Sequence, residues 1–177
     1  MAEQVDIQTQ QKHRAALRRA FQKNPKNETV IKALQKSLRP KYIRQAAQDG
    51  VFICYCMHDG VFALSVALDL QAAGVKTFMD EIDTDDTNDW GAEVGNALTS
   101  CGVMVLVVSP QSLEDPEVQG ERLYFLRNGK IVVPVVAQET DKRPRGTFIM
   151  PVDCVTDYEA GKNTLLELLA PAPDGNA

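Results

Sequence analysis

In SPQSLEDPEVQGERLYFLRNGK, residues 109–130, one carboxylate, Glu121, keeps company with apolar Val118, Leu123, Tyr124 and Phe125. A carboxylate held among apolar groups has a chemical use. It stabilises positive charge that develops beside it, and weak local screening strengthens the effect. A second cluster, Cys54, Cys56 and His58, follows a period of two, so on one strand the three would share a face and offer soft ligands to a metal. No fourth ligand is apparent, and the apolar run ends before His58. The cysteines therefore read as buried thiols, and no metal is assigned.

These side chains need elements to position them. VFICYC is a short apolar run rich in strand formers; DGVFALSVALDLQAAG carries a broad helical stripe that stops at Gly74. VKTFMD is strand-like, and WGAEVGNALTSC puts Trp90, Val94, Ala97, Leu98 and Cys101 on one helical face. GVMVLVVS and IVVPVV are continuous apolar strands on either side of the Glu121 segment, which reads as a helix; YEAGKNTLLELLA closes the series with Tyr158, Leu165, Leu168 and Leu169 in register. Near-continuous apolar strands alternating with helices indicate an α/β fold, a flavodoxin-like parallel five-stranded sheet with helices on both faces. Ligands in such sheets sit beyond the carboxyl ends of the strands, which directs attention to the loops after Cys56, Met79 and Ser109.

The chain has 177 residues with 44% hydrophobic content, enough for one full-sized core and thin for two. Residues 1–49 read as a small helical appendage, 50–170 as the main domain and 171–177 as a flexible tail or linker. Ala16, Leu17, Ala20 and Phe21 form a short stripe in the appendage, and Val30, Ile31, Leu34 and Leu38 a better one. Charge divides unevenly: residues 1–50 hold 11 Lys and Arg against 4 Asp and Glu, and residues 51–177 hold 8 against 20. The plain expectation is that the appendage packs its stripes on the main domain or on each other, with Lys and Arg as a solvated face. Sparse aromatics and the lack of a base-reading motif speak against nucleic acid, which leaves docking of a partner chain as the functional reading. No stretch approaches the roughly 20 apolar residues that span a bilayer, and MAEQVDIQTQQKHR lacks the apolar core of a signal peptide, so a cytoplasmic protein without a membrane partner is expected.

In order along the chain, several of these stretches resemble the Toll/interleukin-1 receptor (TIR) domains. VFICYCMHDGVFALSVALDLQAAG is similar to that family's opening box, VKTFMDEIDTDDTNDWGAEVGNALTSC to its second strand, BB loop and Trp-led helix, VMVLVVSPQSLEDPEVQGE to its third strand and Glu-bearing helix, and KIVVPVV to its fourth strand. The chain departs from the family at Cys54, where Ser is usual, in the loop's Asp85 and Asp86 where Gly commonly turns it, and at Pro116, Glu117 and Val118, where many members carry an aromatic-Cys pair.

The resemblance implies an activity. Many bacterial, plant and some animal members cleave NAD+ with a Glu on the helix after the third strand, which falls on Glu121 here and implies an immune or anti-phage effector activated by self-assembly. NAD+ is then the substrate, and no cofactor is implied. Cleavage of the nicotinamide-ribose bond passes through an oxocarbenium-like sugar that a carboxylate stabilises, and nicotinamide leaves neutral, so no general acid is strictly required. Water would give ADP-ribose and attack by the adenine ring a cyclic product; both stay open. The implied pocket walls are Tyr55, Cys56, Met57, His58 and Asp59 after the first strand, with Asp80 and Ile82 from the loop and Trp90 to stack on a base, although Tyr55 and Trp90 also suit a core. The family further implies other TIR protomers as partners, in a homo-oligomer or filament, and the basic appendage facing the acidic loop suggests a charge-complementary contact between protomers or with a sensor chain.

Two other functions compete with this one. Some family members are adaptors without the Glu that only recruit other TIR domains. A phospho-acceptor receiver shares the architecture but needs an acceptor Asp at the end of the third strand, where this chain has Ser109-Pro110.

Overall fold

The structure, a computed structural model, describes residues 6–80 and 90–172, with only the backbone of Trp90 included. Three helices come first: α1 (Ile7–Lys23), α2 (Glu28–Ser37) and α3 (Pro40–Ala47). They are followed by β1 (Val51–Cys54), a 3-10 turn at Met57–Asp59, α4 (Gly60–Ala72), β2 (Thr77–Phe78), α5 (Trp90–Ser100), β3 (Val103–Val108), α6 (Pro116–Arg127), β4 (Ile131–Val136), β5 (Val152–Asp153) and α7 (Tyr158–Leu169).

All five strands are parallel, in the order β2-β1-β3-β4-β5, as the sequence pattern predicts. Because side chains alternate across a strand, a continuous apolar run covers both faces of the sheet. Val51, Ile53, Val103, Val105, Val107, Ile131, Val133 and Val135 pack under α3, α4 and α7 through Ile43, Ala67, Leu70 and Leu165. Phe52, Cys54, Met104, Leu106 and Val132 point the other way, against Val94 and Ala97 of α5 and Val118, Phe125 and Leu126 of α6. Strand order reverses between β1 and β3, so the crevice such sheets use for ligands opens at the carboxyl ends of these two strands.

The N-terminal helices are docked on this sandwich. α3 contributes Ile43, Ala46 and Ala47 to the core, and a Cβ at Gly102 would collide with the Ala46 carbonyl. α1 approaches the turn between α6 and β4 so closely that a Cβ at Gly129 would meet the Gln11 carbonyl oxygen. Phe21 packs edge-on against Phe148, with ring centroids 5.0 Å apart.

The basic residues of the appendage do not all form a solvated face, and here the structure corrects the sequence reading. Arg14 and Arg18 are 1% and 7% exposed. Their donors reach backbone carbonyls far along the chain: Arg14 Nε to Gly129 O at 2.7 Å and Arg18 Nη1 to Gly146 O at 2.6 Å. Carbonyls left over at a turn accept from any donor that arrives, so arginine serves here as glue between segments. Lys12, Arg19, Lys23, Lys26, Lys32, Lys36, Arg39 and Lys41 remain on the surface.

Candidate functional site

α6 begins sharply. Asp115 caps it, its carboxylate accepting from Glu117 N at 2.9 Å and Val118 N at 3.2 Å, and Pro116 occupies the first turn, where its missing N–H costs nothing. The capped helix then turns Val118, Arg122, Phe125 and Leu126 inward. Leu123 and Tyr124, which stand beside Glu121 in the sequence, face outward.

Glu121 lies at the margin of the buried face, half-buried where α6 meets the carboxyl end of β1. Cys54, the last residue of β1, is buried; its thiol donates to Val118 O at 3.9 Å and favours the ionised form of the neighbouring Glu121. Burial pushes the Glu121 carboxyl from an ordinary 4.5 up to about 7; the thiol opposes this, while the charges of Glu117, Asp80 and Asp115 add to it. Burial likewise raises the Cys54 thiol, so it stays a proton donor to its neighbour.

Tyr55 is half-buried, and its hydroxyl donates to Asp80 Oδ1 at 2.5 Å. That bond ties the tip of β1 to the exit of β2. Cys54, Tyr55, Asp80 and Glu121 thus come together at the strand tips, with two carboxylates close enough for the charge of one to act on the other.

Cys56 and Asp59 are placed differently. Asp59 is 3% exposed and accepts from Ser109 Oγ at 2.6 Å and Cys56 Sγ at 3.0 Å on one oxygen, and from Gln138 Nε2 at 3.1 Å on the other. The carboxylate therefore joins the exits of β1, β3 and β4 under the crevice. Met57 and His58 stand outside this network, both exposed; His58 lines a cleft of about 480 Å³ with Val61, Phe62, Gln138 and Tyr158. Ile82 lies outside the described residues, and Trp90 heads α5. Among the described residues, no group of three or more His, Cys, Asp and Glu is arranged to hold a metal.

Several participants escaped the sequence reading. Ser109 does more than end a strand: it accepts from Ser112 N at 3.1 Å while its own N–H donates to Ser112 Oγ at 2.9 Å. The Ser-x-x-Ser spacing is a local signal for such a turn. Gln138, in the loop after β4, carried no signal of its own.

The TIR-domain family model matches residues 51–166, nearly the whole sheet and its covering helices. The chain belongs to the TIR domain family. Among solved structures, the TIR domain of the Toll-related receptor TRR-2 from the lower metazoan Hydra magnipapillata shares this fold, with a TM-score of 0.55 at 19% identity over 67% of this chain and 94% of that one. No curated protein matches the chain. In this TIR domain the matched region starts at β1, so α1, α2 and α3 precede it, and α3 adds Ile43, Ala46 and Ala47 to its core. Among the described residues, no helix is long and apolar enough to cross a membrane.

Proposed function

We propose that this TIR domain is an NAD+ glycohydrolase in which Glu121 faces the ribose whose bond to nicotinamide breaks. The observation that carries the reading is the setting of Glu121: half-buried at the carboxyl end of β1, in contact with Cys54, its carboxyl raised to about 7 by burial. Perturbed carboxyls at the carboxyl ends of parallel strands are candidates for chemistry. In its ionised form Glu121 offsets the positive charge growing on the sugar, and the weakly screened surroundings strengthen that attraction. In this reading Tyr55 and Asp80, joined at the same tip, form the adjoining wall, and the exposed Met57 and His58 are the residues that would meet the base. The protein acts as an immune or anti-phage effector in the cytoplasm, assembling with other TIR protomers and yielding either ADP-ribose or its cyclic form.

The experiment is NAD+ consumption by concentrated protein, comparing the wild type with Glu121→Ala and resolving the products by chromatography. Cleavage by the wild type and its loss in the variant is the expected result. Equal NAD+ loss in both samples removes Glu121 from the chemistry.

A second reading, a non-catalytic adaptor, is favoured by one feature. Met57, Val61, Leu64 and Leu68 are 87%, 84%, 38% and 52% exposed and follow one another at helical spacing on and before α4. Such an apolar stripe suits recruitment of another TIR domain. In that case neither sample consumes NAD+, while Leu68→Glu still disrupts association measured by sedimentation.

A further inference from the structure

The helices that precede the sheet form an open-sided cavity of about 450 Å³, within the size range of small-ligand sites. Helical spacing brings its walls together: Thr9, His13 and Arg14 lie on one side of α1, and Ala33 and Lys36 lie a turn apart on α2, with Tyr42 of α3 completing the lining. No carboxylate lines it among the described residues.

Its charge is unbalanced. Arg14 is buried at its inner end with Nε on Gly129 O and Nη1 near Ser37 O at 3.4 Å and Gln10 Oε1 at 3.5 Å, whereas Nη2 is buried with no partner among the described residues. Carbonyl and amide oxygens supply only partial charge, so among the described residues the guanidinium has no counter-ion, and burial lowers its affinity for a proton to a pKa of about 10. A buried, unpaired cation with a free donor is costly to fold, and a bound anion is the natural compensation. His13 and Lys36 stand exposed on the same cavity, without an ion pair among the described residues. α1 itself carries no acid, and Asp6, which caps it, is engaged by Gln8 N, Thr9 N and Thr9 Oγ1 in the first turn.

We infer that the cavity between α1, α2 and α3 is a binding site for a small phosphate-bearing molecule of about mononucleotide size, with Arg14, His13 and Lys36 taking the phosphate and Ala33 and Tyr42 packing on its body. Arginine and lysine together are the usual protein answer to phosphate, and the volume exceeds what a bare anion needs. The inference does not depend on the NAD+ reading, because no residue of the cavity belongs to the strand-tip site. Ligand binding here would tighten α1 against α2, giving the appendage a role as a metabolite-responsive element.

The test is calorimetric titration of the full chain at fixed ionic strength with AMP, inorganic phosphate and adenosine. AMP and phosphate are expected to bind, and adenosine is not. Lys36→Glu, a change on an exposed helix face, weakens AMP by about tenfold or more, Ala33→Trp fills the cavity and abolishes binding, and Glu121→Ala leaves it unchanged. Binding of AMP that survives both Lys36→Glu and Ala33→Trp, or that disappears in Glu121→Ala, overturns the site. Absence of AMP and phosphate binding to the wild type does so too, and phosphate binding without AMP overturns the size class.

Discussion

The Cys54 thiol ends β1 beside Glu121 of α6 and donates to Val118 O at 3.9 Å, so a residue from the sheet acts on the protonation of a carboxyl on its covering helix. Two effects compete at that carboxyl. Burial disfavours the carboxylate, the thiol favours it, and burial wins, leaving the group near pH 7. A thiol is a weak donor.

The contact therefore sets a pH limb. If the ionised Glu121 drives NAD+ cleavage, kcat/KM rises as pH increases through about 7. Cys54→Ser supplies a stronger hydroxyl donor, favours the carboxylate and moves the limb to lower pH by about half a unit to one unit; Cys54→Ala removes the donor and moves it upward. A pH-rate profile of the three proteins checks this, and three identical limbs exclude the coupling.

Stability carries the same signature. A carboxyl raised from 4.5 to about 7 holds its proton more tightly when folded, so the native state is favoured below pH 4.5 and loses that advantage as pH rises to 7. Glu121→Gln keeps the shape without the charge. Relative to the wild type it gains stability across that window and keeps a constant lead above it, by at most about 3 kcal/mol. Denaturant midpoints of both proteins at pH 5 and pH 8 measure the difference; a lead that does not grow with pH contradicts a buried Glu121.

How far this was legible in the sequence varies by element. GVMVLVVS and IVVPVV announce β3 and β4 because both faces of a parallel strand are covered, which leaves an unbroken apolar run. β5 is two residues, Val152 and Asp153, with one side chain out, too short for any period to register. Glu121 could be singled out by its position in a family pattern, but its contact with Cys54 depends on how α6 is rotated against β1, which no local period encodes. The buried arginines were invisible for a similar reason. Arg14 and Arg18 look like any helix-surface cations until carbonyls 115 and 128 residues away come to meet them.

Docking of α1 should be sensitive to one glycine. Gly129 has φ +68°, a conformation that L side chains rarely adopt, and its missing Cβ leaves room for the backbone of Gln11 and Ala15. Gly129→Ala adds both strain and a collision, at a cost of about 2–4 kcal/mol. Lower thermal stability with faster amide exchange along α1 is the expected readout. Unchanged exchange in α1 shows that the helix does not depend on this turn.

Lys130 offers a separate test of how the crevice is held. It is 5% exposed, yet its ammonium donates to three carbonyls at the end of α5, Leu98 O and Thr99 O at 2.6 Å and Cys101 O at 2.7 Å. Those carbonyls have no continuing helix to pair with, and a cation there also answers the negative end of the helix. Burial lowers the pKa of the amine, but three acceptors compensate for lost hydration, so the charge is retained in a place where an unpaired lysine would be expelled. Lys130→Met keeps the aliphatic stem and removes the donors, stranding buried carbonyls at a cost of about 3 kcal/mol. If the strand-tip site cleaves NAD+ as proposed, loosening the far end of α5, which begins after the segment leading from Asp80, raises the KM for NAD+ more than it lowers kcat. Chemical denaturation gives the stability loss and initial-rate kinetics the split; a variant as stable as the wild type shows that water replaces the ammonium without penalty.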